Sequence, residues 1–415
     1  MIRAITPVSA LLLGVAILLA GQGLQGILLP VRANLEGFSA IAVGSIGTFY
    51  FLGFTFGCWK GTALIRNVGH VRVFAAMTAL ASASPLLQGL WVNLWSWGML
   101  RFLTGFCFAV LYIVIESWLN EQSDNSNRAT VFSAYILINM TVLAIGQQML
   151  LLGDPMNLQL FALTSVLVSL AAVPVALSTA EAPRKVKDSR LDFRESFNTS
   201  PAGMLGSLAA GMANGAFWAL GPVFVASLSD ELTMAAWFMT AGVLGGATGQ
   251  FPLGRISDRT DRRNVLLGIS IVGAIIGLCL WLFSGELSKG AILSLGFGFG
   301  MMAYPVYSIS VAHANDRANP EAYVRLSSAL LLMYGIGAIT GPLLASLIMS
   351  VSGSGGLFAY SALVHVMLAG YLLFARQRRR STVQHQREFS DSLTSALTSS
   401  QVYEDETSDA QPPKE

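Results

Sequence analysis

The residue whose placement most demands a chemical explanation is Arg101. It stands inside an apolar run, between Trp97-Gly98-Met99-Leu100 and Phe102-Leu103-Thr104-Gly105. A guanidinium in such surroundings carries a large desolvation cost unless it is paired or wet. Glu116 follows on the same stretch, 15 positions on, roughly 22 Å along a helix axis, so the two cannot pair directly. Arg101 therefore bonds polar groups on other elements, water, or an anionic solute. Two readings stand side by side: a solute-binding or coupling group, and a structural hydrogen-bonding group. Glu116 likewise reads either as an interfacial carboxylate bonded to the next loop or as a proton-coupling or gating group.

Other polar side chains recur in apolar runs at helical spacing. Gln22 and Gln25 are three positions apart, Asn214 and Trp218 four, and Tyr304 and Tyr307 three, so each pair shares a helix face. Tyr112 follows Arg101 on its own run, and Asn139 and Tyr334 are second choices. Amides and phenols suit a neutral or anionic organic solute, gripped by hydrogen bonds and ring faces. The same groups could instead hydrogen-bond or pack between helices.

Other chemistries find no support. Cys58, Cys107 and Cys279 lie far apart, without metal-ligand spacing, and read as small buried apolar residues. His313 falls at the end of an apolar run and reads as solvated; His365 reads as structural. The glycines Gly53, Gly57 and Gly61, and Gly242, Gly245, Gly246 and Gly249, permit close helix approach and are expected at a moving interface. No strand precedes them and no Lys-Ser pair follows, so they do not cradle phosphate. No nucleophile triad or metal cluster is visible; neither enzymatic activity nor a cofactor is expected.

The elements that must position these residues follow from composition. Of 415 residues, 53% are hydrophobic and 12% charged, with a mean hydropathy of +0.60 and a net charge of +2. That excludes a disordered chain, a nucleic-acid binder and an ordinary soluble enzyme. A bilayer core needs roughly 20 apolar residues per helix, and backbone in hydrocarbon must bond internally. Twelve runs qualify: 8–30, 40–59, 71–92, 94–115, 129–151, 158–178, 203–228, 234–253, 264–284, 290–312, 326–350 and 356–375. The first exceeds the roughly 7–15 residues of a secretory h-region and reads as an uncleaved span. With the N-terminus in the cytoplasm, 22 of the 25 lysines and arginines fall on cytoplasmic segments, which sets both termini inside.

The polar stretch around 179–200 divides six spans from six. The expected organisation is an N-terminal half (1–180), a cytoplasmic central loop (181–200), a C-terminal half (201–376) and a disordered cytoplasmic tail (377–415). Within the tail, residues 381–415 hold seven serines, four threonines and the acidic cluster Glu404-Asp405-Glu406. Basic loops recur after spans 2 and 8, with Gly69 and Asp261 192 positions apart, which points to duplication.

This all-α, six-plus-six pattern resembles the major facilitator superfamily. The loop from Gly254 matches that family's signature Gly-x-x-x-Asp-Arg-x-Gly-Arg-Arg at Gly254, Asp258, Arg259, Arg262 and Arg263, and departs at Asp261, where the family has glycine. The first-half copy is degraded, with Ile65 or Arg66 where aspartate is usual. Arg101-x-x-x-Gly105-x-x-x-Ala109 is similar to a second family motif. Gly249-Gln250-Phe251-Pro252, Val114-Ile115-Glu116-Ser117, Tyr304-Pro305-Val306 and Gly341-Pro342 resemble the YcaD-like bacterial branch.

The resemblance implies an inner-membrane secondary transporter working by alternating access, with spans 1, 4, 7 and 10 around the cavity. It places Gln22, Gln25, Arg101, Tyr112, Asn214, Trp218, Tyr304 and Tyr307 at the solute. Asp258, Arg259, Arg262 and Arg263 are then expected to gate, through ion pairs that hold the halves together. A small-molecule substrate, the lipid bilayer and a coupling proton, with Glu116 as its candidate carrier, are the expected partners; nucleic acid is not, and a monomer is expected. Multidrug efflux is a rival, weakened because span 5 reads Gly146-Gln147-Gln148 and lacks the Gly-Pro pair of drug–proton antiporters. A sensor or scaffold with a transporter fold is another; it would tolerate apolar replacement of Gln25, Arg101 and Asn214.

Overall fold

A computed structural model describes residues 9–123, 128–177, 193–318 and 323–378. Among them are twelve long helices. The first six are α1 (Ser9–Leu35), α2 (Ala40–Val68), α3 (His70–Leu90), α4 (Leu94–Glu121), α5 (Arg128–Gln148) and α6 (Leu158–Ala176). The second six are α7 (Pro201–Ala226), α8 (Leu232–Arg259), α9 (Arg262–Phe283), α10 (Lys289–Asn315), α11 (Tyr323–Ser352) and α12 (Gly356–Arg378). Eleven helices are long and apolar enough to cross a membrane. The one that falls short is α8, which has the length but carries Gly, Thr, Gln, Asp and Arg. Ile271, Ile275, Leu278 and Leu282 of α9 and Leu363, Val366 and Met367 of α12 are exposed, an apolar exterior suited to lipid.

Polar residues in the short links set the helix starts. Ser39, Asn93, Ser200, Asp261 and Ser288 each accept a hydrogen bond from a backbone N–H of the first turn that follows. Gly69 joins α2 to α3 alone, at φ 97°, a backbone state that costs a side chain. Prolines break two helices. α6 turns at Ala171, three residues before Pro174. α10 breaks at Tyr304, because Pro305 has no N–H to offer and its ring crowds the preceding turn.

The halves repeat one packing scheme. α2 packs on α4 as α8 packs on α10, α1 on α5 as α7 on α11, and α3 on α6 much as α9 on α12. The register repeats too. A Cβ at Gly53 would strike the Phe102 carbonyl oxygen, and one at Gly245, 192 positions on, would strike that of Phe297. The reciprocal contacts are Gly105 on Tyr50 and Gly300 on Gly242. These glycines therefore fasten neighbours inside each half; they do not form the moving interface expected from the sequence. Gly57 likewise abuts Phe106 of α4, Gly61 meets Val110 and Ile113, and Gly249 abuts Met301 of α10.

Two ends of the bundle can be told apart. The basic end carries Arg66, Arg72, Arg255, Arg259 and Arg325; the opposite end carries the links 36–39, 153–157, 227–231 and 284–288. The halves meet toward the opposite end. There Thr48 donates to the Ile339 carbonyl at 2.9 Å, Gly44 abuts Pro342 and Ser346, and Gly47 abuts Ala219. Toward the basic end, α4 packs on α2 and α3, and the Pro305–Asn315 segment packs on α7 and α9, so each stays with its own half.

Several helices outrun their apolar runs: α2 continues to Val68, α4 to Glu121 and α8 to Arg259. α1 runs on past Pro30 to Leu35, where Arg32 ties it to Glu36 at 2.6 Å and to the Pro155 carbonyl at 2.9 Å. Within the expected central loop, Phe193–Thr199 forms a short helix, with Glu195 3.3 Å from Arg325 of α11. The rest of that loop through 192, and the tail from 379, lie outside the described residues.

Candidate functional site

One cavity of about 1170 Å³ lies between the halves. Its wall includes seven of the eight residues expected at a solute: Gln22, Arg101, Tyr112, Asn214, Trp218, Tyr304 and Tyr307. Asn139 and Tyr334 also line it. Gln25 does not. It is buried, and its Nε2 donates to Gln88 Oε1 of α3 at 3.0 Å, so its amide is satisfied inside the first half.

Gln22 organises the first-half wall. Its Nε2 donates to the Tyr50 hydroxyl at 3.0 Å, and its Oε1 accepts from the Tyr112 hydroxyl at 2.6 Å. One amide thus links α1, α2 and α4. Arg101 lies over the Tyr50 ring, 4.2 Å from its centroid, a cation–π contact. Among the described residues Arg101 meets no carboxylate and makes no hydrogen bond.

The second-half wall is aromatic. Trp218 stands edge-on to Tyr304 at 6.4 Å, and Tyr307 lies 4.9 Å from Tyr334 between ring centroids. The break before Pro305 sets Tyr304 at the cavity. Among the described residues its hydroxyl, Oδ1 of Asn139 and Asn214, and Oε1 of Gln250 find no protein partner. Buried polar atoms are rarely left so; of the fourteen such side-chain atoms among the described residues, these four belong to residues that line the cavity.

Glu116 is buried, at 5% exposure, five residues before the end of α4. The Tyr135 hydroxyl lies 3.4 Å from its Oε1, and Tyr135 lines the cavity, so Glu116 sits one side chain behind the wall. His313 is also buried rather than solvated, beside Arg317. His365 is buried and bonds the Ser361 carbonyl at 2.7 Å, as a structural histidine would. Among the described residues no group of three His, Cys, Asp or Glu could hold a metal ion.

The ion pairs of the signature loop lie within the second half. Arg262 is 1% exposed; its Nη1 lies 2.9 Å from Asp258 and its Nε 2.7 Å from Asp316. Nη1 also donates to Ser257 Oγ at 2.9 Å. These pairs tie α8, α9 and the end of α10 together within the second half; they do not cross to the first. Arg263 is largely buried, and its backbone N–H donates to Asp261 at 2.9 Å. Arg259 is exposed.

A direct bridge between the halves lies elsewhere. Gln148 Nε2 of α5 donates to Thr240 Oγ1 of α8 at 2.7 Å, and the Thr240 hydroxyl is 3.2 Å from Gln147 Oε1. Both residues belong to the segment that stands where antiporters carry Gly-Pro. The sequence reading also missed Tyr50 and Tyr135, and Gln250 and Lys60, which line the cavity from α2, α5 and α8. Their signal was a polar group inside or at the edge of an apolar run, outside the four spans given priority.

The family model of the Major Facilitator Superfamily matches residues 11–319, with a second match over 203–403. The chain belongs to the major facilitator superfamily. Among superfamily relatives, the uncharacterized MFS-type transporter YcaD of Escherichia fergusonii is 24% identical over 91% of this chain and 97% of its own. An uncharacterized MFS-type transporter of Yersinia enterocolitica is 25% identical over 87% of this chain and 94% of its own. The likeness to the YcaD branch is thus borne out. The nucleoside transporter NupG shares the fold, with a TM-score of 0.77 at 14% identity, over 89% of this chain and 99% of that one. The chain is a multi-pass membrane protein of a transporter family.

Proposed function

We propose that this protein is a secondary transporter that carries a small organic solute across the bacterial inner membrane by alternating access. One observation carries the reading: both halves wall a single cavity that brings Gln22, Arg101, Tyr112, Asn139, Asn214 and Tyr304 together from five helices. A scaffold has no need of a polar cavity shared between its halves, whereas a solute can bind there in one state and leave in the other. The basic end is cytoplasmic, with both termini there. Contact at the opposite end makes the observed conformation one that is sealed outside and open to the cytoplasm. The Arg262 cluster holds α8, α9 and α10 as one body while the halves rock. Glu116, behind Tyr135, is the candidate proton carrier, and a single chain holds the whole pathway.

The test is an unbiased comparison of metabolite uptake between a deletion strain and its parent. At least one small organic solute should differ, restored by the wild-type chain and not by Asn214→Leu or Trp218→Ala at equal membrane abundance. If no metabolite differs, or if both variants restore it fully, the transport reading fails and the scaffold reading stands.

A further inference from the structure

The charge on the cavity wall is one-sided. Lys60 and Arg101 both line it, and no aspartate or glutamate is among its lining residues. The cations differ in setting: Lys60 is exposed, near the basic end and over the Trp59 ring, 3.7 Å from its centroid, while Arg101 is half-buried deeper in the bundle. Arg101 rests on the Tyr50 ring and, among the described residues, spends none of its guanidinium N–H donors on protein. A guanidinium offers a planar fork of donors that matches a carboxylate in bidentate fashion. The carboxylate nearest in sequence, Glu116, lies behind the Tyr112–Tyr135 layer and well along the helix axis. Among the described residues, the membrane cost of Arg101 is therefore not met by any protein anion.

We infer that the solute is an organic anion whose carboxylate, or an acid of like shape, sits on Arg101 while its planar or apolar body lies against Trp218 and Tyr304. The inference rests on the transport reading and narrows its substrate to one charge class. Lys60, at the basic end, draws such an anion toward the cavity. The Tyr50 ring fixes the guanidinium from below, and Gln22 fixes Tyr50, so the fork is aimed before the solute arrives. A cationic solute would meet two like charges and no counter-charge, and is excluded on the same grounds.

A second consequence separates this role from a structural one. Removing an arginine that has no carboxylate partner leaves no orphaned acid behind, in contrast to breaking a buried pair. Arg101→Gln should therefore fold, with an apo melting temperature equal to the wild type's or higher.

The test uses the purified full chain in detergent, melted with matched acids, amides and amines at neutral pH. Three sets share one body each: indole-3-acetate, indole-3-acetamide and tryptamine; phenylacetate, phenylacetamide and phenethylamine; hexanoate, hexanamide and hexylamine. At least one acid should raise the melting temperature by several degrees in a concentration-dependent manner, with its amide and amine giving a third of that shift or less. Arg101→Gln should abolish the shift, and Arg101→Lys should reduce it. Stabilisation by amides or amines equal to that by acids, no stabilisation by any acid, or a full acid response in Arg101→Gln overturns the inference. Should Arg101→Gln fail to fold, the apo prediction is wrong and the role is structural; the wild-type panel still decides the charge class. A preference for amides or amines would sink the anion and leave transport standing. An uptake comparison with no differing metabolite would sink transport itself.

Discussion

Gln22 holds two phenols from two other helices, one through each end of its amide. Gln22→Leu would leave the Tyr50 and Tyr112 hydroxyls without that partner, and each net bond is worth about 0.5–1.5 kcal/mol. The variant should lose roughly 1–3 kcal/mol in stability and most of its transport, read by melting temperature and uptake. Gln25→Leu separates the two amides. It removes only the bond to Gln88, so it should destabilise while leaving solute affinity intact. The sequence made Gln22 and Gln25 look alike because an i, i+3 pair shares a broad face. Which of them meets the cavity depends on Gln88, whose approach from α3 no local pattern announces. Arg262 makes the stronger case. Arg262→Ala would remove the ion pairs to Asp258 and Asp316, whose side chains are 27% and 14% exposed. A loss of roughly 2–4 kcal/mol is expected, seen as a lower melting temperature, with Arg262→Lys rescuing part of it. A drop in transport without any drop in stability would argue instead for a gate between halves.

Helices α5 and α8 carry the outer latch. Thr240→Val removes the hydroxyl that Gln147 and Gln148 address and keeps the side-chain volume. A net bond of about 0.5–1.5 kcal/mol corresponds to a shift of roughly two- to tenfold in the balance between outward- and inward-open states. Distances between spin labels at the opposite ends of α5 and α8 would read it; an unchanged distribution would remove the latch. Close by, Glu231 and Lys289 join the α7–α8 link to the start of α10 at 2.7 Å. The Lys289 hydrogen bond and charge hold the exposed Glu231 carboxyl below its ordinary range. Its small contribution is therefore complete above the ordinary carboxylate pKa and is lost as pH falls through the lowered one, so it is intact at neutral pH. Acid titration of Glu231→Gln beside the wild type should show the variant slightly less stable at neutral pH, with the difference vanishing as pH falls through the lowered carboxylate pKa. At this scale the sequence was informative about helix count and links. The packing partners of the glycines were not legible, because a small-residue stripe says that something approaches closely and does not say which helix.

The two halves repeat to the residue, as Gly53 with Gly245 and Gly105 with Gly300 make plain, and the equal span count already pointed there. What six-plus-six cannot give is the state in which the halves rest, since that depends on weak contacts at two ends of one bundle. Reporter fusions at Pro183 and Asp154 test the orientation, with cytoplasmic and external signals expected in turn; a periplasmic signal at Pro183 would invert the scheme. The resting state has a native probe. Cys58 lines the cavity from α2, two residues before Lys60, while Cys107 is buried. With Cys279 replaced by serine, a membrane-impermeant methanethiosulfonate carrying a sulfonate should reach Cys58 from the basic end and be drawn there by Lys60 and Arg101. Labelling should be at least several-fold faster in inside-out vesicles than in right-side-out ones. Thr240→Val should raise the slower rate, because weakening the outer latch populates the conformation open on that side. Equal rates from both sides in the wild type would mean that the seal at the Thr48, Gly44 and Gly47 contacts is not the resting one, and the alternation would have to start from a different state.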